Sequence, residues 1–138
     1  MRRTVWAHDG GSGWEVEMAL GKDAAAELSQ AVSSGQFRLT PEAAREVAGH
    51  YEWFAGEMGS RQEELRRLQR LDGFGGFESA QRLQQGFEGK AHQAFDAYRV
   101  AEESARRMAA AIYRSAGLMS EADASNAAAI KAANRSME

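Results

Sequence analysis

FEGKAHQAFDAYRVAEESARRMAAAIYRSAGLM, Phe87–Met119, is the stretch that decides the fold. Its apolar residues recur at Phe87, Ala91, Ala94, Tyr98, Ala101, Ala105, Met108, Ile112 and Met119, with Ser115 in the one off-type slot. Steps of four and three alternate throughout, the 3.5-residue period of a helix lying lengthwise along another helix. A helix of that length spans roughly 50 Å. It needs a partner along its seam, from the rest of the chain or from a second molecule.

Upstream, the chain supplies one. Thr40-Pro41-Glu42 is a helix start: a good N-cap, a proline tolerated at the first helical position, and an acid at the positive end of the dipole. The helix is predicted to run from about 41 to 71. Its stripe is Val47, Tyr51, Phe54, Met58, Leu65 and Leu68, again a heptad seam, with Arg61 in the missing slot. Gly49, Gly56 and Gly59 weaken its interior by up to ~1 kcal/mol each relative to alanine, and their smallness suits close approach by another chain. Between the two seams lies Asp72-Gly73-Phe74-Gly75-Gly76-Phe77, which breaks the helix and lets the chain reverse. The second helix is expected from 78 to 116 or beyond, with the turn at 72–77 and a kink at Gly86–Gly89. Glu102–Arg106 and Glu103–Arg107 read as i,i+4 pairs on its outer face. Gly117 ends or bends it.

The fold class is therefore all-α: an antiparallel hairpin of two long helices, organised as a domain over 37–125. Residues 1–36 read as an N-terminal arm. TVWAHD and WEVEMAL flank GGSG, which fits either a β-hairpin carrying Trp6 and Trp14 or a mobile arm, followed by a short helix over 23–32. Residues 126–138 read as a tail that frays. Much of the long seam is alanine, which buries little area per residue at roughly 25 cal/mol per Å². A two-helix hairpin is thin on that account, and the arm or another molecule is expected to complete a three- or four-helix bundle.

Composition narrows the function classes. The 138 residues suffice for one domain with a core of its own. A net charge of −3 argues against nucleic acid or an anionic membrane as the main partner. There is no cysteine, hence no disulfide framework and no thiolate metal site. Arg2 and Arg3 are not followed by an apolar segment, so no Sec signal peptide is read, and no apolar run reaches the length of a membrane span. Glu46–His50 and His92–Asp96 each share a helical face. Two such pairs facing each other could hold a metal, but the further glutamates and the Glu-x-x-His motif of a bundle metal site are missing. Gly73–Gly76 precedes a helix as phosphate loops do, without the Gly-Lys-Ser/Thr ending or a preceding strand, so it reads as a hairpin turn. Arg66, Arg67 and Arg70, like Arg106 and Arg107, lie among acids and read as a solvated face. Trp53 points away from the stripe, either onto the N-terminal segment or toward a partner. No nucleophile–base set is assignable; no cofactor, metal or catalytic residue is expected, and the chain reads as a non-catalytic association module.

One segment carries a family likeness. Phe87-Glu88-Gly89-Lys90-Ala91-His92-Gln93-Ala94-Phe95 resembles the turn-and-helix signature of the WXG100 (ESX) superfamily of type VII secretion, Trp-x-Gly followed by Ala-x-x-Ala-Phe-like spacing, with Phe87 in place of Trp. The wider span, about 36–125, is similar to actinobacterial ESX-associated proteins of the secreted EspC type. In those, a Gly-Phe-rich segment such as Gly73–Phe77, with Ala80, Leu83 and Phe87 after it, leads into the second helix. The resemblance implies a helical hairpin that dimerises into a four-helix bundle, as a homodimer or with another hairpin chain, including a larger secreted effector. It implies a secreted substrate or substrate partner that leaves by a route independent of a signal peptide and is cytoplasmic before export. The family's export signal is Tyr-x-x-x-Asp/Glu near the end of the second helix. Tyr98–Glu102 has that spacing, early in the helix, whereas Tyr113 is followed four residues later by Gly117. The alternative to secretion is a cytoplasmic coiled-coil chaperone, antitoxin-like or regulatory partner.

Overall fold

In a computed structural model of the protein, the described residues are 13–138, with side chains from residue 21 onward. They form four helices: α1 (Gly13–Ser33), α2 (Pro41–Arg66), α3 (Glu78–Ser115) and α4 (Met119–Ala133). The fold is all-α, as the heptad periods predict, and the described residues contain no strand. The long helix is the axis. α2, α4 and α1 each lie against α3, and among the described residues no other pair of helices comes into backbone contact.

Local chemistry sets the helix ends. The Thr40 hydroxyl accepts a hydrogen bond from the Ala43 N–H at 3.2 Å, and Pro41 opens α2. Gly73 and Gly75 take positive φ of 82° and 91° in the hairpin turn, which only glycine adopts without strain. α3 then starts at Glu78, where the sequence places it, and runs unbroken through Gly86–Gly89. The reversal is thus at 72–77 and not at 86–89. At its far end the Gly117 N–H bonds Arg114 C=O and the Leu118 N–H bonds Tyr113 C=O, both at 3.0 Å, with Gly117 at φ 75°. That is a Schellman closure, and it folds α4 straight back onto α3.

The core is built mostly of alanine. Ala44, Ala48 and Ala55 of α2, Ala105 and Ala109 of α3, and Ala122, Ala129 and Ala132 of α4 are all buried. Alanine contributes little area, but it lets backbones come close enough for dense dispersion contact. Larger side chains fill the two ends. Ile112 and Tyr113 join Ala44, Ala48, Ala109 and Ala122 at one end, with Leu28 of α1 packed against them; Ala91, Phe95 and Met137 cluster with Leu65 at the other.

Several expectations are corrected. Residues 13–21 are helical, so the WEVEMAL half of the expected β-hairpin is the start of α1 and the short helix over 23–32 is its second half; residues 1–12, Trp6 among them, lie outside the described residues. Glu, Met, Ala and Leu dominate WEVEMAL and favour helix, and a two-stranded ribbon alone is marginal. α2 stops at Arg66, short of 71: the Leu68 and Gln69 N–H groups close i→i−3 turns, and the Leu71 N–H bonds the Glu88 carboxylate at 2.7 Å. Residues 126–133 do not fray but complete α4, whose end is capped by Arg99 donating to the Ala133 carbonyl at 3.0 Å. Glu102 is not on an outer face. It is 2% exposed, because α4 and the segment after it close over that side of α3.

Candidate functional site

The apolar stripes that the heptad pattern selects do converge, but on an open groove. α1 and α2 meet α3 from different directions and leave a cleft of about 490 Å³ between them. Gly21 and Ala24 form the α1 wall, and Tyr51, Phe54 and Met58 the α2 wall. The floor is α3 from Ala97 to Met108, with Tyr98, Ala101, Ser104 and Ala105 between. Eleven helical steps along that floor are roughly 16 Å, about three turns. Ser104 Oγ is buried there with no hydrogen-bond partner among the described residues.

The seam residues divide between this groove and the core. Tyr51, Phe54, Met58, Tyr98 and Met108 line the groove. Val47, next along the α2 stripe, is exposed, as is Phe54 on its outer edge. Ile112 lies in the core, Leu65 packs against Ala91, Phe95 and Met137, and Leu68 is exposed past the end of α2. The residues of α2 that are fully buried are Ala44, Ala48, Ala55 and Gln62. Its large apolar stripe is therefore rotated away from the closest contact with α3.

The turn and motif residues sit at one end of the molecule. Gly73, Phe74, Gly75, Gly76 and Phe77 form the α2–α3 connection, where the Phe74 ring meets Phe87 at 6.1 Å between centroids and 45° between planes. Phe87 and Gly89 lie inside α3, and Phe77, Leu83 and Phe87 are exposed. Trp53 is 67% exposed on the outside of α2. His50 and His92 are both at the surface, near opposite ends of the α2–α3 pairing. Among the described residues no group of three or more His, Asp or Glu side chains is placed to hold a metal ion. No described helix is long and apolar enough to cross a membrane.

Where α2, α3 and the segment after α4 meet lies a polar cluster that sequence reasoning missed. The Glu102 carboxylate accepts from Arg106 Nε at 2.9 Å, from Gln62 Nε2 at 2.9 Å and from Arg135 Nη1. Arg135 Nη1 also donates to Gln62 Oε1 at 2.9 Å, and Gln62 Nε2 to the Met58 carbonyl at 3.1 Å. Burial alone would push the Glu102 carboxyl up. The hydrogen bonds from Arg135, Arg106 and Gln62, with the Arg135 charge, outweigh it and hold the carboxyl below its usual range. Beside this cluster Met137 inserts against Leu65, Ala91 and Phe95, 5% exposed, and Arg66 donates to the Met137 carbonyl at 3.2 Å while its guanidinium lies 5.3 Å over the Phe95 ring. Nearer the α3–α4 turn, the Tyr113 hydroxyl donates to Glu52; burial first, then that bond and charge, push the phenol up to about 12.

Two of the missed residues had no local signal: Arg135 and Met137 act on partners more than thirty positions away. Phe95 was legible in part, since Ala91, Phe95, Glu102 and Ala109 lie on one face of α3 at helical spacing. Tyr98 and Glu102, paired by the Tyr-x-x-x-Glu pattern, are divided by the fold: Tyr98 lines the groove, and Glu102 is enclosed. No family model, curated protein or solved structure matches this chain.

Proposed function

We propose that the chain is a non-catalytic association module that takes a helix of another chain into the groove between α1 and α2. The observation that carries this reading is the groove lining. Two heptad stripes from α2 and α3 face a three-turn cleft that the described residues leave open, and its surface is mostly apolar. The fitting partner is a helix with apolar residues at i, i+4 and i+7, supplied by a second copy or by another helical-hairpin chain. Its entry would give α3 four helical neighbours in place of three. The test is size-exclusion with light scattering on the purified chain and on Phe54→Asp. Association that Phe54→Asp abolishes supports the groove, and a monomer unaffected by Phe54→Asp that captures no hairpin chain removes it.

The likeness of Phe87–Phe95 to the WXG100 signature supports a role as a type VII secretion substrate or substrate partner. A second reading, a cytoplasmic chaperone, antitoxin-like or regulatory partner, is favoured by one observation: Glu102 of the Tyr98-x-x-x-Glu102 pattern is enclosed by Arg135, Arg106 and Gln62, so the folded chain does not offer it to a receptor. Following the chain in culture supernatant, with and without Tyr98→Ala, separates the two. Export lost with Tyr98→Ala supports the secretion signal, and absence of export supports the cytoplasmic role.

A further inference from the structure

The segment after α4 is held as a bound peptide is held. The Arg135 N–H closes a last i→i−3 turn on the Ala132 carbonyl at 3.1 Å, and the backbone beyond it is not helical and pairs with no strand among the described residues. Its side chains alternate: Arg135 points in, Ser136 is exposed, Met137 is buried and Glu138 is exposed, the period of an extended chain lying on a surface. Each inward residue has a dedicated receiver. Arg135 meets the Glu102 carboxylate and Gln62. Met137 fills the socket of Leu65, Ala91 and Phe95. The Arg66 guanidinium reaches the carbonyls of Met137 and Glu138, at 3.2 and 3.4 Å.

These receivers are also fixed by neighbours outside the segment. Glu102 is held by Arg106 and Gln62, Gln62 by the Met58 carbonyl, and Arg66 by its place over the Phe95 ring. Glu102, Gln62 and Arg66 thus each keep a partner outside the segment, as the side chains of a preformed binding site do.

We propose that the Leu65–Ala91–Phe95 socket, flanked by Glu102 and Arg66, is a peptide-binding site for an extended segment that carries an arginine two residues before an unbranched apolar side chain. Residues 135–137 are its resident occupant. A partner segment of that order displaces them, taking the cation to Glu102, the apolar side chain to the socket and its carbonyls to Arg66. The residue between the two anchors is exposed, its hydroxyl donating within the segment to the Glu138 carbonyl at 3.4 Å. Leu65, Arg66, Ala91, Phe95 and Glu102 are not among the residues that line the groove, so this site is tested separately from the helix-binding reading.

The test uses the full chain and an acetylated peptide of residues 133–138, Ala-Asn-Arg-Ser-Met-Glu. The chain has no cysteine, so Ser136→Cys takes a single environment-sensitive fluorophore at the outward position and leaves both anchors in place. A tethered segment competes at an effective concentration of about millimolar, so unlabelled peptide is titrated to several times that, roughly 5 mM. The expected result is a saturable fluorescence shift with this peptide and none with its Met137→Asp counterpart. A second arm measures binding of labelled peptide to the Met137→Asp chain, whose own segment cannot seat. Freeing the site should tighten binding by about tenfold or more over the unmodified chain, with helicity checked by circular dichroism. No shift up to the highest concentration overturns the proposal. So does a shift that the control peptide reproduces, or equal binding by the folded Met137→Asp and unmodified chains.

Discussion

One stripe of α3 is sealed and a neighbouring one is open, although both are written in the same alanine-rich sequence. On the sealed side, Ala91, Phe95, Glu102 and Ala109 lie under α2, α4 and the segment 134–138. On the open side, Ala97, Ala101, Ser104 and Met108 floor the groove between α1 and α2. The difference is what reaches each face. The Schellman turn at Gly117 delivers α4 onto the first, where Arg135 meets Glu102 and Met137 meets Phe95. α1 covers the second only in part and leaves the cleft. The buried contacts that hold the chain together therefore gather on the sealed side, and the exposed apolar surface on the open one.

The strongest way to break this division is Phe95→Ala. Phe95 is 1% exposed at the centre of the socket, and its truncation should cost about 3–5 kcal/mol in urea unfolding. Arg135→Ala comes next. It leaves the enclosed Glu102 carboxylate short of one cation and should cost about 1–3 kcal/mol; a loss no larger than that of an exposed arginine would mean the cluster is not a stabilising contact.

Acid and alkali should act on the sealed side through two groups of opposite sign. Glu102 titrates lower in the folded chain than its ordinary 4.5. Its contribution is thus present above the unfolded value and is lost as pH falls through the folded one. Tyr113 titrates near 12 when folded against 10.0 ordinarily. Its contribution is complete below pH 10.0 and disappears as pH rises through about 12. Stability followed against pH should show the first loss weakened in Glu102→Gln and the second removed in Tyr113→Phe.

The solvent face of α2 and the groove give the smaller effects. Gly49 and Gly56 have nothing within 4 Å of an added Cβ, so Gly49→Ala and Gly56→Ala should each stabilise the chain by about 0.5–1 kcal/mol. Phe54→Ser should change unfolding by less than about 1 kcal/mol, since Phe54 is 41% exposed. It should nonetheless weaken association, a separation that would sharpen the contrast between the two sides.

The expectations that held concern short-range chemistry: the Thr40 cap, Pro41, the glycine turn at 72–77, and Gly117. What the sequence could not reveal is which stripe of α3 would be covered. A heptad count follows large side chains, and it selected Val47, Phe54 and Met108. In an alanine-rich helix, however, the closest packing uses the smallest side chains, here Ala44, Ala48 and Ala55. Glu102 and Arg106 looked like a solvent pair because i,i+4 spacing is the same on any face.

The sequence by itself thus determined the helical class, the start of α2 and of α3, and the point of reversal between them. Caps and positive-φ glycines act over three or four residues, and those residues are adjacent in the chain. Tertiary structure alone decided that Glu102 is buried, that Met137 is a plug, and that the stripes from Val47 to Met58 and Tyr98 to Met108 border an open groove. Those outcomes depend on neighbours brought from 33 to 73 positions away, and no local pattern encodes where such neighbours come to rest.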